Sequence, residues 1–171
     1  MQSFGFWTSV ALGALLSLFL PRLIVSSEQT PFVIEEEFKH VTCGSSIKLA
    51  NVESGYRLHS HAVKYGSGSG QQSVTGYPNA DDPNSYFNVQ GAYPDACERG
   101  KVIQCGDVIR LLHTSTHMYL HSHQGHASPL SGQQEVSAYD KTDAGDNWKV
   151  VCVDGKDTAW KREQQVRLRK C

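Results

Sequence analysis

The sequence predicts an all-β fold, a barrel or sandwich of short strands, on three observations. The chain repeats itself. "CGSSIKL" (Cys43–Leu49) is answered by "CGDVIRL" (Cys105–Leu111), and "LHSH" at Leu58–His61 by "LHSH" at Leu120–His123, both at an offset of 62 positions. Apolar and polar residues alternate in short runs, as in Ile47-Lys48-Leu49 and Ile109-Arg110-Leu111, the period of a half-buried strand. After position 27 no helical period is sustained.

The elements follow in order. From Phe4 to Leu20 no residue is charged, and the run ends in Pro21-Arg22 and then Val25-Ser26-Ser27. That length and those flanks predict a signal peptide over residues 1–27, cut after Ser27, rather than an uncleaved anchor. A linker, residues 28–40, leads into the first repeat, residues 41–102. Its strands are expected at Ile47–Leu49, at LHSH, at the "QQ-x-V" run behind the Gly-rich loop Tyr65–Gly70, and at Tyr86–Val89. The second repeat, residues 103–157, restates them. "PLSGQQEVSAY" (Pro129–Tyr139) faces "SGSGQQSVTGY" (Ser67–Tyr77), and one deletion sets "DAGDNWKV" (Asp143–Val150) on "DPNSYFNV" (Asp82–Val89). A third repeat opens over residues 158–171, where Val166 and Leu168 stand for Ile47/Ile109 and Leu49/Leu111, and it stops before an LHSH of its own. The shared frame Ile47, Leu49, Leu58, Val74, Phe87 and Val89, with its partners Ile109, Leu111, Leu120, Val136, Trp148 and Val150, is expected to form the core.

Composition narrows the function. The formal net charge is −1, and losing Arg22 with the leader makes it one unit more negative. Net charge therefore drives no binding to nucleic acid or anionic membrane. No second apolar run reaches membrane length. Of the five cysteines none is spaced C-x-x-C, which argues against a zinc ribbon or a thioredoxin-like redox motif. A secretory route permits disulfides, and the odd count leaves one thiol over. No N-x-S/T triplet is present.

The stretches "VTCGSSIKL", "RLHSH…YGSGSGQQSVTGY", "YLHSH", "SPLSGQQEVSAY" and "DNWKV" resemble the MIR repeats of the stromal cell-derived factor 2 family across about Val41–Leu168. MIR repeats also occur in protein O-mannosyltransferases and in inositol trisphosphate and ryanodine receptors. The resemblance implies a β-trefoil, three repeats about a pseudo-threefold axis. It implies residence in the endoplasmic reticulum lumen and a part in protein quality control beside a J-domain co-chaperone and the lumenal Hsp70. It implies no enzyme activity and no cofactor. Against that pattern the chain holds two full repeats and the start of a third, an incomplete barrel with open strand edges. It also ends in "VRLRKC" rather than an HDEL-like retention signal, so the lumen or secretion is expected.

The duplicated polar residues are the candidate site. His59 and His61 share a strand face, as do His121 and His123. With Gln71, Gln72, Gln133 and Gln134 they are candidates to bind protein or glycan ligands. A competing reading has the histidines and glutamines hold the fold by hydrogen bonds, and has Tyr77 and Tyr139 pack in the core. Tyr65, Tyr77, Tyr119 and Tyr139 are the aromatic rings that a sugar would stack on. No metal site is expected, because no carboxylate or cysteine stands at ligand spacing and repeats a third of a turn apart need not bring the two histidine pairs together. No catalytic residue is assigned. There is no nucleophile elbow, and Asp81, Asp82, Asp143 and Asp146 read as turn residues. Cys43 and Cys105 read as buried thiols at strand starts. Cys97 and Cys152, both between repeats, are the expected disulfide. Cys171 has no repeat counterpart.

Overall fold

The computed structural model describes residues 35–128 and 131–171, so the signal peptide expected over residues 1–27 lies outside the described residues. The strands are β1 (Ser46–Ile47), β2 (Arg57–Lys64), β3 (Gln72–Tyr77), β4 (Phe87–Gly91), β5 (Val108–His113), β6 (Tyr119–His121), β7 (Ser137–Tyr139), β8 (Trp148–Cys152) and β9 (Val166–Lys170). All pairings are antiparallel, in the order β1-β4-β5-β6-β7-β3-β2, and β8 bridges β5 to β9. The result is an all-β, curled sheet with a half-barrel form. Short 3-10 turns, Pro83–Ser85 and Ala144–Asp146, lead into β4 and β8.

The core sits inside the curl. Phe87, Val89, Ile109, Leu111 and Val150 are buried, joined by Ile47, Leu120 and Trp148. Each such side chain contributes about 1.5–3 kcal/mol of burial. Leu49, Leu58, Val74 and Val136 of the expected core are only half-buried. They face an apolar groove of about 600 Å³ that also runs past Trp148 and Leu168. The core gains three residues from segments ahead of the strands, Val41, Ile103 and Trp160. Their backbones close a ring: Val41 N–H donates to Trp160 O at 2.9 Å, Ile103 N–H to Val41 O at 3.0 Å, and Trp160 N–H to Ile103 O at 2.8 Å. Three chain segments thus meet in cyclic order, the arrangement a threefold architecture requires.

The cysteines do not pair as expected. Cys43 bonds Cys97 and Cys105 bonds Cys152, with Cα–Cα distances of 6.1 and 5.6 Å. The expected Cys97–Cys152 bridge is therefore absent, and Cys43 and Cys105 are not free thiols. The reason is topological. β4 lies beside β1, and β8 beside β5, so a cysteine beyond the end of β4 (Cys97) or at the end of β8 (Cys152) returns to the cysteine ahead of its repeat's first strand. Cys171 is a free thiol and exposed.

Candidate functional site

Two hydrogen-bonded chains of side chains occupy the duplicated positions. In the first repeat, β2 presents His59 and His61 on one face, and β3 hydrogen-bonds β2 through Arg57–Ser60. His59 is buried. Its Nδ1 lies 2.8 Å from Asp82 Oδ2, and its Nε2 lies 2.9 Å from His61 Nδ1. The Ser85 hydroxyl donates to the same Asp82 oxygen at 2.6 Å. Tyr77 stacks on His59 with ring centroids 4.9 Å apart. The second repeat builds the same chain from β6: His121 Nδ1 is 2.8 Å from Asp146 Oδ1, and His121 Nε2 is 2.7 Å from His123 Nδ1. Tyr139 leans on His121 at 4.8 Å.

For neutral rings these contacts set the proton positions. A carboxylate only accepts hydrogen bonds. With both rings neutral, His59 Nδ1–H donates to Asp82, so its Nε2 carries the lone pair. His61 Nδ1–H then donates to that lone pair, and the outer nitrogen, His61 Nε2, is an acceptor directed away from the chain. Asp146, His121 and His123 repeat the argument. Burial pushes the Asp82 carboxyl upward, yet hydrogen bonds from the Ser85 hydroxyl, from His59 and from the Asn84 amide outweigh it and hold the group below the usual carboxylate range.

The sequence paired Asp82 with Asp143 and Ser85 with Asp146. In the folded chain the acid that holds the inner histidine has moved three residues, from ahead of one turn (Asp82) to the end of the other (Asp146). Asp143 instead caps its turn, accepting from Gly145 N–H, and its amide donates to Asp146 Oδ2 at 3.0 Å. His121, Asp143 and Asp146 each bring one ligand atom within 4.8 Å of the others. The 2.8 Å His121–Asp146 contact is a hydrogen bond, however, and Asp146 is buried with both oxygens engaged, so the three side chains satisfy one another.

Three of the four glutamines make hydrogen bonds within the fold. Gln72 is buried and its amide donates to Ser60 Oγ and Thr116 Oγ1, each at 2.8 Å. Gln134 donates to Ser122 Oγ at 2.7 Å. Both therefore anchor the serine between the histidines, whose hydroxyl donates onward to a backbone carbonyl, Ser73 O in β3 or Glu135 O just ahead of β7. Gln71 accepts from the Ser137 hydroxyl of the other repeat, while Gln133 is exposed. The Gly-rich loop is held from the second repeat by Glu135, which accepts from the Ser69 hydroxyl. Tyr77 is not in the core but 42% exposed, and Tyr139 is half-buried. Tyr119 lies under the Arg110 guanidinium, and the Tyr65 hydroxyl sits 2.9 Å from Val74 O.

The two histidine chains do not meet. They stand at opposite ends of the ladder β6-β7-β3-β2, three strand spacings or about 14 Å apart. Residues that sequence reasoning read only as turn formers, Asp82 and Asp146, complete both. The signal was present: an acid falls within each of the aligned turns "DPNS" and "DAGD". Among the described residues no buried side-chain nitrogen or oxygen lacks a hydrogen-bond partner.

Comparison with known proteins agrees with this architecture. A MIR domain model matches residues 57–170. Stromal cell-derived factor 2 of Homo sapiens is 51% identical over 132 residues, which is 75% of this chain and 61% of the human protein. The chain thus spans less than two thirds of that relative's length. The crystal structure of the SDF2-like protein from Arabidopsis thaliana superposes with a TM-score of 0.73 at 46% identity, covering 77% of this chain and 73% of that one. A protein O-mannosyltransferase complex of S. cerevisiae, solved with its sugar donor, superposes with a TM-score of 0.69 at 31% identity, covering 78% of this chain and 20% of that chain. The repeated histidine-bearing strands, the curled sheet and these likenesses together place the chain in the MIR-domain family, among the stromal cell-derived factor 2 proteins.

Proposed function

We propose that the chain is a non-enzymatic binding module of the endoplasmic reticulum lumen that acts in protein quality control, engaging protein clients or glycans in company with a J-domain co-chaperone and the lumenal Hsp70. The observation that carries the reading is the state of the polar groups. Asp82, His59, Asp146 and His121 are each spent on an internal hydrogen bond, and what each repeat offers outward is an acceptor nitrogen beside an aromatic face. Such a surface recognises hydrogen-bond donors on a ligand. A catalytic pair would need a base held against a nucleophile, as general base catalysis requires reach of about 2.6–3.2 Å to the proton it takes. The relatedness to stromal cell-derived factor 2 supports the lumenal setting.

A second reading, a secreted carbohydrate-binding module, draws on Tyr77. Its exposed ring is already stacked on His59 beside the outward nitrogen of His61, which suits a sugar face with adjacent hydroxyls. The likeness to a mannosyltransferase solved with a sugar donor leans the same way. One experiment separates the two: the full chain, immobilised, is incubated with lumenal extract and, in parallel, with a glycan array. Recovery of a J-domain protein with Hsp70 supports the first reading. Glycan retention that is lost in Tyr77→Ala, without those partners, supports the second, and recovery of neither sinks both.

A further inference from the structure

The second repeat carries a histidine that the first lacks. His126 falls where the first repeat has Lys64, and the backbone around it differs. β2 continues as a strand through Lys64, whereas β6 ends at His121 and the chain turns through Gly125 at φ +111°. That turn brings the His126 ring back onto His123, with centroids 5.1 Å apart and planes at 85°. Among the described residues neither ring nitrogen of His126 has a hydrogen-bond partner, and His123 Nε2 has none either. In the first repeat His61 and Lys64 lie three positions apart on one strand, across a register shift between Ser60 and Lys64, and no turn folds Lys64 back onto His61.

We propose that His123 and His126 form a two-imidazole clamp for a borderline divalent transition ion of the Cu(II), Ni(II) or Zn(II) class. Three features argue for it together. With both rings neutral, the Asp146–His121–His123 chain places the His123 proton on Nδ1, which leaves Nε2 as the lone pair a metal needs. This is the carboxylate–histidine arrangement that orients metal-bound imidazoles, extended by one ring. The separation of the rings leaves room for a shared ion. Two imidazoles bound to one ion through nitrogens about 2.0–2.1 Å away, at a tetrahedral angle, hold their centroids about 5.3 Å apart. Imidazole is, finally, the side chain these ions prefer over the harder cations. With only two protein ligands the site is open, so its ion exchanges and its other positions take water.

The test uses the untagged chain carrying Cys171→Ser, which removes the free thiol as a rival ligand. Calorimetric titration with Cu(II) and with Zn(II) alone is expected to show one ion per chain, Cu(II) the tighter. His126→Lys, which copies the first repeat at an only half-buried position, is expected to weaken binding at least ten-fold with an unchanged melting curve. Lys64→His restores the sequence spacing in the first repeat but not the turn, so the stoichiometry is expected to stay at one. Absence of stoichiometric binding, binding that survives His126→Lys, or a second ion in Lys64→His would each overturn the proposal.

Discussion

Asp82 and Asp146 show that the fold keeps a contact rather than a position. Each holds Nδ1 of an inner histidine at 2.8 Å, from opposite ends of equivalent turns. The contact is therefore transferable within one turn. Asp82→Ser strands the buried His59 Nδ1–H and is expected to cost about 1–3 kcal/mol in urea unfolding. Adding Ser85→Asp, which restores the acid where the second repeat has it, is expected to recover most of that loss, and no recovery would show that the acid is fixed to its position. His113 makes a separate point. Its ring donates from Nε2 to Asn84 O at 2.9 Å and takes the Thr116 hydroxyl at Nδ1, so it is neutral in the folded chain. Burial pushes its pKa below the ordinary imidazole range and outweighs the Asn84 carbonyl, which pulls the other way. The unfolded chain accepts a proton near pH 6.5 that the folded chain refuses. Stability present above that pH is accordingly lost as the pH falls through it. Unfolding midpoints measured from pH 8 to pH 5 are expected to slope downward, and to slope less in His113→Gln.

At the scale of elements, much was legible and the failures have physical causes. Four strands per repeat followed from a period of two and a constant offset, because each strand buries one face. The fit of Trp148 to Phe87 followed too, since both fill the centre. The carboxylate–histidine contacts did not follow. They join residues 23 or 25 positions apart through a turn whose direction no local pattern sets. Tyr77 was misplaced because a tyrosine at a strand end reads alike whether it faces core or rim. Close packing at the second turn gives a direct test. A Cβ on Gly145 would come within 2.3 Å of the His121 ring, so Gly145→Ala must displace the histidine. It is expected to lower stability by about 1–3 kcal/mol in thermal or chemical unfolding, while Gly66→Ala, with open space around it, is expected to change little.

For the molecule as a whole, the ring through Val41, Ile103 and Trp160 is the most informative contact, because it ties together segments far apart in the chain and none of the three residues was in the expected core. Alternation marks strands, and these residues precede them. The half-buried leucines and valines along the groove are the reverse case: their alternation marks strands, but sequence alone does not say how much of a curled sheet is covered. Trp160→Ala removes a buried ring from where the three segments join and is expected to cost about 3–5 kcal/mol, more than Leu168→Ala at the groove.

The disulfides carry a consequence for how the chain comes to be folded. Each bridge joins neighbours in cysteine order, first to second and third to fourth, so the two covalent loops follow one another and neither encloses the other. A chain threading into an oxidising compartment from its N-terminus presents Cys43 and Cys97 before Cys105 arrives, so Cys43–Cys97 can close while no later thiol competes. Oxidation in step with translation then arrives at the native connectivity without reshuffling. The same chain, fully denatured and reoxidised at once, must choose among alternatives. Thiol trapping during synthesis is expected to catch the first bridge alone, and refolding from the reduced state to pass through Cys97–Cys105 species that synthesis avoids.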